Sequence, residues 1–264
     1  MYTLAIVGCG YLAEIITNGL LNGLLPEYKL VGAMSRTAAK ANRIAEKINR
    51  ANQGYSCVAY TSIDELLATK PDYIIETASP SGLKEFAIAA LKNGSSIVTL
   101  SIGAFADKAF YTEAAQAAKA NNARIYIASG AIGGFDVLRT ATLMGNASVT
   151  FDTEKSPRPL RFTKLYSPEL QDTKKQVFSG TATEAIAMLP TQVNVSVAAS
   201  IASVGPDNVG VTITSTPGYI GDRHVIQIKN DQVDAVVNVY SSTPEIAGWS
   251  VIETLQNIVS PIVF

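Results

Sequence analysis

What is scarce in this chain narrows its reading first. Among 264 residues there is one histidine, two cysteines and one tryptophan. Cys9 and Cys57 are too few for a disulfide framework or a four-ligand zinc site, so a reducing, cytoplasmic setting is expected and no metal is. Charged residues make up only 16%, and Lys+Arg 21 against Asp+Glu 22 gives a net charge of -1. Nothing in that balance points to nucleic acid or an anionic membrane surface. Low charge with 47% hydrophobic residues suits a well-buried enzyme or an oligomer with an apolar interface. Met1 to Val7 holds no basic residue and runs straight into Gly8 and Gly10, a poor match to a secretory signal. No apolar run approaches the ~18 residues that a membrane helix needs.

The first half alternates short apolar runs with helical periodicity. Leu4–Val7, Lys29–Met34, Asp72–Ile75, Ser95–Leu100 and Arg124–Ala128 read as strands. Ala13–Leu25, Thr37–Asn49, Pro80–Asn93 and Asp107–Asn121 read as helices, and Thr61–Glu65 as a helix start with a hydroxyl cap. Such alternation predicts crossover units and a parallel sheet five or six strands wide. After Ser129-Gly130 the pattern changes: Val149–Thr153, Val209–Thr216, His224–Lys229 and Val233–Tyr240 are β-like, with prolines between them. Gly248–Val259 returns to helical spacing.

Gly8-Cys9-Gly10-Tyr11-Leu12-Ala13 is G-x-G-x-x-A between the first strand and the first helix. The first glycine permits the turn and the second lets a pyrophosphate approach. The small third residue lets helix and strand pack closely. Dinucleotide binding through Gly8, Gly10, Tyr11 and Leu12 is therefore expected, with Cys9 a small buried filler. An acid at the end of the second strand grips the ribose 2′-OH of NAD; here Ser35-Arg36-Thr37 stands instead, which suits the 2′-phosphate of NADP. The competing reading of Arg36 is an ordinary solvated arginine. NADP is the expected cofactor, with NAD second.

His224, in Gly221-Asp222-Arg223-His224, is the candidate proton-handling group because no other histidine exists. A lysine or a tyrosine is the alternative. Ser129-Gly130-Ala131-Ile132-Gly133-Gly134 reads as a ligand-contacting loop or an interdomain hinge.

Several blocks together resemble the L-aspartate dehydrogenase family. They are the glycine loop, Glu76-Thr77-Ala78-Ser79, Ser101–Asp107, Ser129–Gly134, Phe178–Ala182 with Glu184-Ala185, Leu189-Pro190 with Val193-Asn194-Val195-Ser196, and Gly221–His224. The likeness spans essentially the whole chain. It implies an α/β fold: a Rossmann parallel-sheet dinucleotide-binding domain over 1–129, with 245–264 returning to it. A mixed α/β (α+β) substrate, catalytic and dimerisation domain would occupy 130–244. It implies NAD(P)-dependent oxidation of L-aspartate to iminoaspartate, which hydrolyses to oxaloacetate or feeds NAD biosynthesis, in a homodimer. It places the catalytic histidine on His224 and cofactor contacts on Ala131 and Asn194; Ala78 and Ser79 are further cofactor-binding candidates. Ser35-Arg36 departs from the family's usual acid. Glu245–Ser250 replaces an Asn-Pro-Lys-Thr-Ser block, so that block's lysine is missing. Lys155, Arg158, Arg161 and Arg223 are candidates by location alone for clamping substrate carboxylates. Other readings are a dehydrogenase of another small substrate, or a silent NADP-binding sensor.

Overall fold

A computed structural model of the chain describes residues 1–189 and 194–264. It divides into two compact units, Met1–Ala128 with Ala247–Phe264, and Ser129–Ile246.

In the first unit the elements run β1 (Tyr2–Val7), α1 (Tyr11–Leu21), β2 (Tyr28–Met34), α2 (Ala38–Arg50), β3 (Val58–Tyr60), α3 (Ile63–Ala68), β4 (Tyr73–Glu76), α4 (Pro80–Lys92), β5 (Ser96–Thr99), α5 (Lys108–Ala120) and β6 (Ile125–Ile127). The strands pair in the order β3-β2-β1-β4-β5-β6, and every pairing is parallel. This is the Rossmann order, whose direction of winding reverses between β1 and β4. Alternate residues of β1 serve opposite faces. Leu4 and Ile6 join Ile16 of α1 and Ile44 of α2 in one buried cluster, and Ala5 between them is equally buried. A sheet buried on both faces is what crossover helices produce. The hydroxyl cap expected in Thr61–Glu65 is formed, Ser62 accepting from the Glu65 amide; the Ser79 hydroxyl likewise accepts from Gly82, and the Asp107 carboxylate from Ala109 and Phe110.

The second unit contains α6 (Phe135–Leu143), β7 (Ser148–Lys155), β8 (Lys175–Thr181), α7 (Ala182–Met188), α8 (Asn194–Ile201), β9 (Val209–Ser215), β10 (Asp222–Lys229) and β11 (Asp234–Ser241). Its sheet has the order β11-β10-β7-β9-β8, antiparallel except for the parallel β7/β9 pair. Burial alternates strictly along β7, with Val149, Phe151, Thr153 and Lys155 on the covered face. Sequence reading omitted β3 and β8. The first is three residues long; the second opens Lys175-Gln176, slips register between Gln176 and Phe178, and lies at the sheet edge.

The last helix, α9 (Glu245–Val259), belongs to the first unit from Ala247 onward. Val251, Ile252 and Leu255 enter the cluster of Leu4 and Ile6, each burial worth ~1.5–3 kcal/mol. The Tyr28 hydroxyl donates to the Leu255 carbonyl at 2.8 Å, across 227 residues of sequence.

Candidate functional site

The glycine loop sits where β1 hands the chain to α1, at the carboxyl ends of the strands that flank the reversal of order. Gly8 adopts φ +99, and a Cβ there would lie 2.6 Å from the Ala78 nitrogen and 2.7 Å from the Thr77 carbonyl carbon. Only glycine permits so close a crossing of two backbones. The crossing is stitched twice from Thr77. The Thr77 amide donates to the Val7 carbonyl at 2.9 Å, and the Thr77 hydroxyl donates to the Gly8 carbonyl at 2.6 Å. Gly10 is different in kind. A Cβ there would meet nothing within 4 Å, and α1 begins with no side-chain cap. Uncapped amides above open space are the arrangement that receives a pyrophosphate.

A recess of about 280 Å³ opens at this point. Seven of the residues singled out from sequence for the cofactor line it: Gly8, Gly10, Ser35, Arg36, Thr37, Ala78 and Ser79. Two others do not. Tyr11 is exposed on the first turn of α1, and Leu12 packs against the apolar cluster behind the loop. Thr77, quoted only as part of the Glu76–Ser79 block, also lines the recess, as does Lys40, which was missed. The only signal for Lys40 was its place in the first turn of α2, directly after the strand end that selects the dinucleotide. Arg36 is exposed, and no residue forms an ion pair with it among those described. Cys9 is buried, its thiol pushed up to about 12 chiefly by burial, and it donates to the Met34 carbonyl at 3.3 Å. It is filler, not a nucleophile.

Behind the recess lies a fully buried carboxylate, Glu76, at the end of β4. It accepts from the Ala78 and Ser79 amides at 2.7 and 3.0 Å, and from the Thr99 and Ser101 hydroxyls at 2.5 and 2.8 Å. The Ser101 amide adds a bond at 3.2 Å. Burial pushes this carboxyl up, and the hydrogen bonds oppose that rise. Glu76 thus fixes the turn that presents Ala78 and Ser79 to the recess.

In the second unit the chemistry collects on the covered face of the sheet. His224 is 3% exposed and pairs across strands with Thr153. Its ring stacks on Phe151, centroids 5.6 Å apart. Burial first, and the Lys155 charge second, lower its pKa to about 4, so the imidazole is neutral near pH 7. Its Nδ1 is buried and finds no partner among the described residues; the same holds for the Thr153 and Ser215 hydroxyls. Ala131 is half-buried in the loop before α6, and Asn194 is the first residue of α8. Of the Leu189-Pro190…Val193-Asn194 block, Pro190 and Val193 lie outside the described residues. Of the candidate cations, Arg158 and Arg161 are exposed, and Arg223 points its Nε to Asn238. Lys155 alone stands on the histidine's face.

No helix among the described residues is long and apolar enough to cross a membrane, and no cluster of His, Cys, Asp or Glu there forms a metal site. Residues 8–128 match the family model described as homoserine dehydrogenase, NAD binding domain, and residues 136–258 match that of aspartate dehydrogenase, C-terminal. The chain is 30% identical to an L-aspartate dehydrogenase of Methanococcus maripaludis over 99% of its own length and 98% of that protein's. The same figures describe its likeness to an L-aspartate dehydrogenase of Methanosarcina mazei. The crystal structure of aspartate dehydrogenase from Thermotoga maritima superposes with a TM-score of 0.75 at 24% identity, covering 100% of this chain and 99% of that one. A recess at the glycine loop of one unit, a lone buried histidine in the other and this full-length similarity agree: the chain belongs to the L-aspartate dehydrogenase family.

Proposed function

We propose that the protein is an NADP-preferring L-aspartate dehydrogenase. L-Aspartate would lose its α-hydrogen as hydride and a proton from nitrogen, giving iminoaspartate, NADPH and H⁺. Water then adds to the imine carbon and ammonia leaves, giving oxaloacetate. The observation that carries this reading is the 30% identity, over 99% of the chain, to curated L-aspartate dehydrogenases.

The chain's own residues have separable tasks. The uncapped start of α1 and open Gly10 receive the pyrophosphate, and Arg36 with Ser35 receives the 2′-phosphate through charge-assisted hydrogen bonds. Ala78, Ser79, Ala131 and Asn194 complete the cofactor contacts, with Tyr11 and Leu12 supporting the first turn. Bound nicotinamide supplies the hydride acceptor. His224, neutral near pH 7, accepts at Nδ1 the proton released as the imine forms or as water attacks it. A cytoplasmic homodimer supplying iminoaspartate to NAD biosynthesis is the setting this reading favours.

The test is a steady-state assay of L-aspartate with NADP and with NAD, and of oxaloacetate plus ammonium with NADPH, following reduced nicotinamide. Turnover of L-aspartate, absent with D-aspartate and faster with NADP, is expected. Turnover of another amino acid or of a polyol at higher kcat/KM than L-aspartate would assign a different substrate. Tight NADPH binding with no turnover on any of them would assign a sensor.

A further inference from the structure

Lys155 is 8% exposed at the end of β7. No carboxylate among the described residues forms an ion pair with it. Asp222, its register partner on β10, is no exception. The stem of Lys155 is buried while its ammonium has no paired carboxylate among the described residues, which leaves that charge available to an incoming anion. The surroundings fit an incoming oxygen anion. Ser215 is the register partner of Lys155 on β9 and Thr153 lies two residues back on the same face; both hydroxyls are buried and have no partner among the described residues. His224 pairs directly with Thr153, so its open Nδ1 adjoins the same patch. Lys155 and Thr153 line a recess of about 10 Å³ with Ser196, Val195 and Leu189. That is room for about one water-sized group, such as a single carboxylate oxygen.

We propose that Lys155, with the Thr153 and Ser215 hydroxyls beside it, is the subsite that holds a carboxylate of a dicarboxylic substrate next to His224. The inference rests on the aspartate dehydrogenase reading for the identity of that substrate, though the chemistry it names is the carboxylate alone. Burial chiefly, and the Lys155 charge second, hold the imidazole's proton affinity down; an anion on Lys155 offsets the second of these, so substrate binding and the histidine's basicity are coupled.

Because His224 is the only histidine, imidazole-labelled, untagged protein gives one ring signal that reports this patch. The probe is succinate, an unreactive dicarboxylate, titrated into the NADPH-saturated enzyme and into its Lys155→Met and Lys155→Arg variants. In the wild type a saturable shift of the His224 signal is expected. Lys155→Met should weaken succinate, and raise the KM for L-aspartate, by about ten- to a hundred-fold, with NADPH affinity unchanged. Lys155→Arg should restore part of the loss. Thermal stability of Lys155→Met should stay near the wild type, since the buried stem is replaced by one of similar volume and no ion pair is lost; a purely structural lysine would give a drop.

Equal succinate response in wild type and Lys155→Met, or no saturable response in the wild type, overturns the proposal. Wild-type turnover of L-aspartate with an unchanged KM in Lys155→Met also overturns it, while leaving the aspartate reading intact. A Lys155-dependent succinate response in an enzyme inert toward L-aspartate and oxaloacetate upholds the subsite and removes the aspartate reading.

Discussion

Gly8 and Gly10 are two residues apart in one motif, yet substitution should damage different things. An alanine at Gly8 must hold φ near +99 and place its Cβ 2.6–2.8 Å from backbone atoms of Thr77 and Ala78. Those atoms cannot swing aside, because Thr77 is bonded to Val7 and Gly8, and Ala78 to Glu76. The positive-φ conformation costs a non-glycine residue about 1–2 kcal/mol, and forced overpacking about 1–3 more. The sum, roughly 2–5 kcal/mol, corresponds to a fall of about 4–20 °C in Tm for a chain of this size. At Gly10, by contrast, φ is -92 and a valine Cβ meets nothing within 4 Å. Gly10→Val should melt near the wild type. Its side chain fills the space that a pyrophosphate needs. Losing two charge-assisted hydrogen bonds at ~1.5–3 kcal/mol each weakens NADPH by about a hundred-fold or more. The assays are thermal unfolding by circular dichroism and NADPH titration by fluorescence. A wild-type Tm for Gly8→Ala, or wild-type NADPH affinity for Gly10→Val, refutes the division of labour between the two glycines.

Arg36→Ala should raise the KM for NADP by about ten- to a hundred-fold while sparing NAD, measured by kcat/KM for each cofactor; an unchanged ratio means that the guanidinium faces solvent. His224→Ala should lower kcat by ~10²–10⁴-fold with NADPH affinity little changed, and a value within a few-fold of wild type assigns the proton to another group. The same histidine sets a pH dependence of stability. Between 6.5 and about 4 the unfolded chain binds a proton that the native state refuses, so stability falls as pH drops through that window, by up to about 3 kcal/mol. His224→Gln should lose that component of the slope, and parallel denaturant-midpoint profiles for the two proteins would contradict the burial argument. Glu76→Gln turns an all-acceptor group into one that must aim an NH₂ at donors, and should cost about 2–4 kcal/mol in unfolding free energy.

The Rossmann unit was legible because its signals are local. Leu4–Val7 is a short apolar run that stops at a glycine. Asp107, Ser62 and Ser79 announce helix starts through side chains that reach only two or three residues. The glycine pattern records a backbone requirement at a single turn. Helical periodicity over Gly248–Val259 likewise marked α9, since one face of that helix is apolar whatever it covers. β8 was illegible for the opposite reason: an edge strand with a register slip and one exposed face carries no clean alternation.

Sequence alone also determined that any histidine chemistry must fall to His224. What only the tertiary structure decided is which residues surround it. Four cations were equivalent by position in the sequence, and nothing local separates Lys155 from Arg158, Arg161 or Arg223. Strand pairing does: the two-residue alternation of β7 turns Lys155 to the covered face, while its register with β9 and β10 sets it beside Ser215 and next to the Thr153–His224 pair. Glu76 reads in the sequence as an ordinary strand-end acid, and becomes the anchor of the Ala78–Ser79 turn only when β5 brings Thr99 and Ser101 alongside. Backbone conformation is set largely by neighbours in sequence. Desolvation and hydrogen-bond partners are set by residues tens of positions away, so the electrostatics of the site became definite only when the strands paired.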